Sequence, residues 1–374
     1  MSWNGIIKPF TSCVDMKANW ADGHYVVGHS QVYKLEEVLS EMLLLPLVIT
    51  NRGMTAIMTV IMVLTKAGDT IVCSEAVYPG TRLRLEELEA QGRIKVIWWD
   101  PTDHDELRRY FELSSQPGDM SNVSAPRLIF CETIGNAPSM PIADLEVLSG
   151  FAQMWDVPLV VDTTFTPFWT PKRPINHLIV VGSMTKYHTN GDNTMGGYIA
   201  ARLKMLKRIT STRFYMDSVM LPDVVSNYLS RGQLDTMGDR YRDHCRNALD
   251  AAKLMSDHQA VGEVCYPGLD GHPNRQLLEQ FNWMAGAVFY CRLAGGEKAA
   301  IKLADALVGQ GDWELAVSFG SAKWRVFPFI GELAQHVGVE GIVRISTGYP
   351  RGKDSEFAAP NLGILRSVLD TLVN

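Results

Sequence analysis

Two apolar runs stop abruptly at residues equipped for chemistry. Pro158-Leu-Val-Val-Val-Asp162-Thr163-Thr164-Phe165 ends at a carboxylate, and Leu178-Ile-Val-Val-Gly-Ser183-Met-Thr185-Lys186-Tyr187 ends at two hydroxyls and an amine. A lysine held where its amine is partly desolvated can lose its proton and condense with an aldehyde. A carboxylate on a neighbouring strand suits a pyridinium nitrogen, whose protonation makes the ring an electron sink. Ser183 and Thr185 are placed to donate to phosphate oxygens. Upstream, Thr50-Asn-Arg-Gly53-Met54 opens an apolar helical run. A glycine at a helix start lets backbone amides approach an anion, which the helix dipole also favours. Ala76-Val-Tyr78-Pro-Gly80-Thr81-Arg82 then reads as a turn presenting an aromatic face. An imine-forming lysine, an anion for a ring nitrogen, phosphate donors and a stacking ring are the parts that pyridoxal 5′-phosphate (PLP) requires. Lys186 is therefore expected to carry this cofactor as an internal aldimine.

These residues need a scaffold that lines up strand ends. From about Leu47 to Leu203, short β-branched runs alternate with helical stretches, the pattern of βαβ units and a mostly parallel sheet. Strands are expected at Thr70–Cys73, Ile94–Trp98, Leu128–Cys131, Leu159–Val161, Leu178–Val181 and Tyr198–Ala200. Several are continuously apolar, so helices should cover both faces. Ligands of such sheets bind beyond the carboxyl ends of the strands, where Asp162 and Lys186 fall. The Met-rich run Met54–Leu64 reads as core. A helical region then runs from about Asp223 to Ser256, followed by a turn-rich break at Tyr266–Pro273 and a second α+β unit. In that unit strands are expected near Ala287–Arg292 and Gly341–Ser346, with helices near Glu297–Val308 and Ala359–Leu372. The domain reading is an arm over 1–35, a large α/β domain over 36–228 and a smaller α+β domain over 229–374.

The chain of 374 residues is 46% hydrophobic and carries a net charge of −6, which supports a large core and gives no basic face for nucleic acid or a membrane surface. Six scattered cysteines form no CxxC pair and no Cys/His cluster at metal spacing, as expected of free thiols in a reducing cytosol. The stretch MSWNGIIKPF lacks a basic-then-apolar leader, and no long apolar run occurs. The expectation is a cytoplasmic protein acting on small molecules, without metal.

Together these segments resemble the Cys/Met metabolism family of PLP enzymes, collinearly from about Tyr25 to the C-terminus. The family's phosphate-binding Ser-Gly-Met-Ala-Ala-Ile is similar to Arg52-Gly53-Met54-Thr55-Ala56-Ile57, and its Tyr-Gly-Gly-Thr to Tyr78-Pro79-Gly80-Thr81. Glu132-Thr-Ile-Gly-Asn136-Ala resembles Glu-Ser-Pro-x-Asn-Pro, which implies that Asn136 contacts cofactor or substrate carboxylate. Asp162-Thr-Thr164-Phe resembles Asp-Asn-Thr-Phe, and Ser183-Met-Thr185-Lys186-Tyr187 matches Ser-x-Thr-Lys-Tyr. Arg231-Gly-Gln-Leu-Asp-Thr236 is similar to Arg-Gly-Leu-x-Thr, and Ser318-Phe-Gly to Ser-Leu-Gly. Arg344-Ile-Ser346 resembles an Arg-Leu-Ser whose arginine grips the amino-acid carboxylate.

Departures crowd around the substrate. Where the family's N-terminal Tyr-Ser-Arg sends a tyrosine and an arginine to the neighbouring subunit's phosphate, Tyr25 is kept but the arginine is Val27. His24 and His29 are the nearby substitutes, although they, like His188, read first as surface or loop residues. After the lysine, Tyr187-His188-Thr-Asn190-Gly-Asp192-Asn193 replaces Tyr-Ile-Gly-Gly-His-Ser-Asp, and Lys323 and Trp324 follow the Ser-Phe-Gly segment.

The resemblance implies a fold type I, PLP-dependent transferase-like architecture: a mostly parallel seven-stranded sheet flanked by helices, with a smaller C-terminal α+β domain. It implies γ-elimination or γ-replacement on an amino acid with a Cγ leaving group, of the O-acylhomoserine, cystathionine, methionine or S-adenosylmethionine type, through a vinylglycine quinonoid. Lys186 would act as base and Tyr78 as acid to the leaving group. Trp324, Tyr349 and Lys323 are read as the wall of a pocket for something larger than a simple thiol. The family's active sites form between subunits, so a homodimer or homotetramer is expected. The alternatives are an aminotransferase or β-lyase on the same fold, or a non-catalytic scaffold.

Overall fold

The computed structural model describes residues 30–114, 125–169, 177–189, 194–213, 220–229, 233–332, 340–349 and 358–373. Helix α1 (Ser30–Leu43) leads into β1 (Leu47–Thr50), α2 (Gly53–Leu64), β2 (Asp69–Ser74), α3 (Pro79–Ala90), β3 (Ile94–Trp99) and α4 (His104–Ser114). Then come β4 (Pro126–Glu132), α5 (Leu145–Met154), β5 (Leu159–Asp162), β6 (Leu178–Ser183), β7 (Gly197–Ala201), α6 (Leu203–Arg213) and α7 (Pro222–Leu229).

These seven strands form one sheet in the order β1-β7-β6-β5-β4-β2-β3. Pairings among β2 to β6 are parallel, whereas β7 runs antiparallel to both β6 and β1. Period-two alternation divides each strand between two cores. Leu159 and Val161 of β5 join one apolar cluster and Val160 the other; Leu178 and Val180 of β6 join the first, Ile179 and Val181 the second. With both faces covered, alternation of polarity disappears, which is why β5 and β6 read as unbroken apolar runs. On one face α2 packs Ala56, Ile57, Val60, Ile61 and Leu64, a helical stripe, with Leu206 and Ile209 of α6. The other face is covered by residues of α1, α4 and α5.

The chain continues through α8 (Met237–Ser256), β8 (Val261–Cys265), α9 (Arg275–Phe281), β9 (Val288–Leu293), α10 (Gly296–Leu307), β10 (Trp313–Leu315), β11 (Trp324–Pro328), β12 (Ile342–Ser346) and α11 (Ala358–Thr371). The last five strands make a second, mostly antiparallel sheet, β10-β11-β12-β9-β8. The architecture is thus α/β with a second, smaller sheet domain. Among the described residues no helix is long and apolar enough to cross a membrane.

Several boundaries differ from expectation. The helical region over 223–256 is two helices, α7 and α8, with a turn at 233–236 between them. Residues 30–35, expected in an arm, belong to α1, while Tyr25, His24 and His29 lie outside the described residues. The proposed division at 228/229 falls on the last turn of α7. The sequence places no strand at β1, β8, β10 or β11: β1 is four residues long and buried throughout, β8 is mostly half-buried or exposed without alternation, and β10 is three residues long.

Candidate active site

Adjacent strands of the large sheet end in a row of polar side chains. Register pairs Glu132, the last residue of β4, with Asp162, the last of β5, and both are buried. Asp162 Oδ1 accepts from the Thr164 backbone N–H at 2.8 Å and from Thr164 Oγ1 at 2.5 Å, and Thr164 Oγ1 in turn accepts from Ser183 N–H at 2.9 Å. One hydroxyl therefore ties the end of β5 to the end of β6. Burial pushes both carboxyls up from their ordinary range. For Glu132 the neighbouring Asp162 charge adds to burial, opposed by N–H groups of Tyr78 and Asn136 and by Arg344; for Asp162, Thr164's bonds oppose it. A cation brought against Asp162 would reverse its shift.

The N-terminus of α2 abuts this row. A Cβ on Gly53 would lie 2.8 Å from Ser183 Cβ, so only glycine lets the first amides of the helix sit beside the Ser183 hydroxyl. Met54 follows in the same turn, its Sδ 3.7 Å from Thr81 Oγ1. The Thr185 hydroxyl is taken up locally, accepting from Gly196 N–H at 3.2 Å and facing Gly196 O at 3.4 Å, which braces the loop. Tyr78 precedes α3 and is 47% exposed, and its N–H donates to Glu132 Oε1 at 2.6 Å.

Lys186 is half-buried. Its Nζ stands 2.9 Å from Ser318 Oγ and 5.0 Å from the Phe319 ring centroid. The next residue, Gly320, has φ +89° and is pressed against the Lys186 backbone so closely that a Cβ there would overlap its carbonyl. The segment 317–320 also meets Arg344 on β12, which donates to Val317 O and holds its guanidinium carbon 5.6 Å from the Phe319 ring. Arg344 is 7% exposed, and its Nε is buried without a hydrogen-bond partner among the described residues. On the other side of the site Asn136 Oδ1 accepts from Tyr290 OH at 3.2 Å.

The sequence-derived residues thus fall into two connected groups. Gly53, Ser183, Thr164, Asp162 and Tyr78 line the strand ends, joined through Glu132; Lys186, Ser318 and Arg344 form a second group, with Asn136 attached through Tyr290. Glu132, Tyr290, Phe319 and Gly320 were not singled out. Glu132 had a signal, since it ends an apolar run as Asp162 does, whereas Tyr290 looks like any strand aromatic. His188 is buried, not a surface residue; burial lowers its pKa to about 3, so it is neutral. Lys323 pairs with Asp312 at 3.3 Å and buried Trp324 packs on Trp313, which removes both from the pocket wall expected of them. Tyr349 packs edge-on against His244.

The donor set fits PLP: a buried carboxylate for a ring nitrogen, helix-start amides made accessible by glycine beside a hydroxyl for a phosphate, a partly exposed tyrosine, and a lysine amine. Among the described residues no group of three or more His, Cys, Asp or Glu is arranged to hold a metal.

Comparison with known proteins agrees. The family model described as Cys/Met metabolism PLP-dependent enzyme matches residues 29–349. An L-methionine gamma-lyase of Fusobacterium nucleatum subsp. polymorphum is 28% identical over 320 residues, 82% of this chain and 77% of its own length. A probable cystathionine gamma-synthase of Herpetosiphon aurantiacus is 27% identical over 251 residues, 65% of this chain and 72% of its own. A crystal structure of cystathionine gamma synthase from Xanthomonas oryzae pv. oryzae, in complex with aminoacrylate and cysteine, superposes with TM-score 0.80 at 25% identity, covering 95% of this chain and 91% of that one.

Proposed function

The chain belongs to the Cys/Met metabolism family of PLP-dependent enzymes, and on that premise we propose that it eliminates or replaces a leaving group at Cγ of an amino acid, with Lys186 as the cofactor-bearing lysine. The observation that carries the assignment is the Lys186 amine, 2.9 Å from Ser318 Oγ on the segment to which Arg344 is bonded. This arrangement supports one carboxylate clamp and one base serving the same substrate.

Bound PLP supplies a conjugated cationic ring that withdraws the electrons released when the Cα–H bond breaks. Asp162 provides the anion that keeps the ring nitrogen protonated, and its own shift upward is undone by that contact. The amides of Gly53 and Met54 and the Ser183 hydroxyl bind the phosphate, with Thr185 bracing the loop from Gly196. Tyr78 covers the ring face. Arg344 clamps the substrate carboxylate with its unspent Nε and a free edge of its fork, and Asn136 adds a donor. The Lys186 amine would take the proton from Cα and, once it has passed that proton on, take one from Cβ, so that the electrons of the Cβ–H bond expel the group on Cγ; Ser318 limits where that amine swings. Tyr78 donates a proton to the leaving group.

The test is to supply O-acylhomoserine, cystathionine, methionine and S-adenosylmethionine in turn, with and without a thiol. The expected products are a 2-oxo acid with ammonia, or a new thioether. Turnover of β-substituted amino acids only would make it a β-lyase, and transfer of the amino group to a second 2-oxo acid would make it an aminotransferase. Either result overturns the γ assignment.

A further inference from the structure

Tyr290 on β9 has no part in the roles above, yet it touches two residues that do. It is 4% exposed, pairs in register with Arg344 across β9 and β12, and has the Arg344 guanidinium carbon 6.0 Å from its ring centroid. Its hydroxyl donates to Asn136 Oδ1 at 3.2 Å. Burial raises this phenol's pKa, with the nearby Arg344 opposing, so the hydroxyl keeps its proton. A buried O–H left without an acceptor is costly, and Asn136 Oδ1 is the acceptor this one has.

That bond fixes which way the amide faces. The Asn136 backbone is already held by its N–H to Ala76 O at 2.8 Å. With Oδ1 committed to Tyr290, the two N–H groups of Nδ2 point elsewhere. In the flipped amide the Tyr290 oxygen would accept from Nδ2 and its own proton would be stranded.

We propose that Tyr290 is a positioning residue that keys the Asn136 amide, so that Nδ2 rather than the carbonyl is offered to an anionic oxygen of the bound ligand. The inference rests on the assignment of this cleft as the PLP site. Two oxygens share the required chemistry, the amino-acid carboxylate and the cofactor's ring phenolate. Either is repelled by an amide carbonyl and attracted by its N–H.

The experiment is a double-mutant cycle of Tyr290→Phe and Asn136→Ala in the PLP-loaded enzyme. Phe keeps the ring that packs near Arg344 and removes only the hydroxyl. One arm measures calorimetrically the Kd of a non-reactive amino-acid analogue against the matching amine without a carboxylate. The other follows the pH midpoint of the bound cofactor's visible absorbance with no amino acid present. Tyr290→Phe is expected to weaken carboxylate binding about tenfold, or to move the absorbance midpoint by about one pH unit, and to do neither once Asn136 is Ala. The arm that responds identifies the oxygen. The proposal is overturned if Tyr290→Phe changes neither arm, if its effect is the same in the Asn136→Ala background, or if the variant does not fold. A wild type that takes up no visible cofactor absorbance sinks the PLP assignment instead, and the calorimetric arm still reads the coupling of Tyr290 to Asn136.

Discussion

Lys186 and Arg344 show how differently two residues of one site depend on their surroundings. A lysine at the end of an apolar run beside Ser183 and Thr185 was legible because its neighbours in sequence are also its neighbours in function. Arg344 was legible only through resemblance, since nothing within β12 says that its fork meets Val317 and Phe319. Tyr290 was illegible because its partner lies 154 residues away. Replacing Lys186 by alanine is expected to abolish both turnover and the visible absorbance of the purified protein; a variant that still turns over γ-substituted amino acids would remove this residue from the chemistry. Arg344→Lys keeps the charge but loses the planar fork. The expected outcome is a KM raised roughly tenfold to a hundredfold with a smaller change in kcat, measured by steady-state kinetics. An unchanged KM would place the carboxylate elsewhere.

At the scale of elements, the site depends on two close backbone approaches that the sequence marks only as glycines. Gly53 brings the start of α2 against the end of β6, and Gly320 brings the segment after Ser318 against Lys186. The large sheet was legible because burial on both faces leaves unbroken apolar runs; the small sheet was only partly so, because β10 and β8 carry neither length nor alternation. Gly320 and Gly68 offer a controlled comparison. Both have positive φ, +89° and +84°, but a Cβ on Gly68 has nothing within 4 Å, whereas one on Gly320 meets the Lys186 carbonyl. Gly68→Ala therefore carries only the conformational cost, about 1 kcal/mol. Gly320→Ala adds a backbone clash, so a loss of roughly 2–4 kcal/mol is expected in urea unfolding, together with displacement of Lys186 from Ser318. Equal losses at the two positions would mean that the contact at Gly320 is readily relieved.

Across the whole molecule, α8 links the two sheets through a buried polar seam. His244 Nδ1 lies 2.6 Å from Thr347 O, Asn247 donates to Gly348 O at 2.9 Å, and Arg240 reaches the carbonyls of Tyr187 and Thr189, one and three residues past Lys186, at 3.0 and 3.3 Å. Burial lowers the His244 pKa from 6.5 to about 4, with bonds to the Thr347 and Gly320 carbonyls opposing; burial and then the Arg240 charge lower His188 to about 3. The unfolded chain protonates both imidazoles below pH 6.5 while the folded protein does not, so the unfolded state binds more protons and stability falls as pH falls. Between about pH 6 and 4 these two groups should contribute a slope of about 2.7 kcal/mol per pH unit. Above pH 6.5 they contribute none. The raised carboxyls of Glu132 and Asp162 act in the opposite sense, lowering stability as pH rises past their unfolded values. In that window the carboxyls offset the histidines in the wild type, so the test is the difference in urea unfolding between the cofactor-free wild type and His244→Asn, whose amide N–H can still reach Thr347 O: the variant should lose the His244 share of the acid slope, about 1.4 kcal/mol per pH unit. If that variant keeps the full acid slope, the imidazole is not neutral in the folded protein and the seam is held by charge instead.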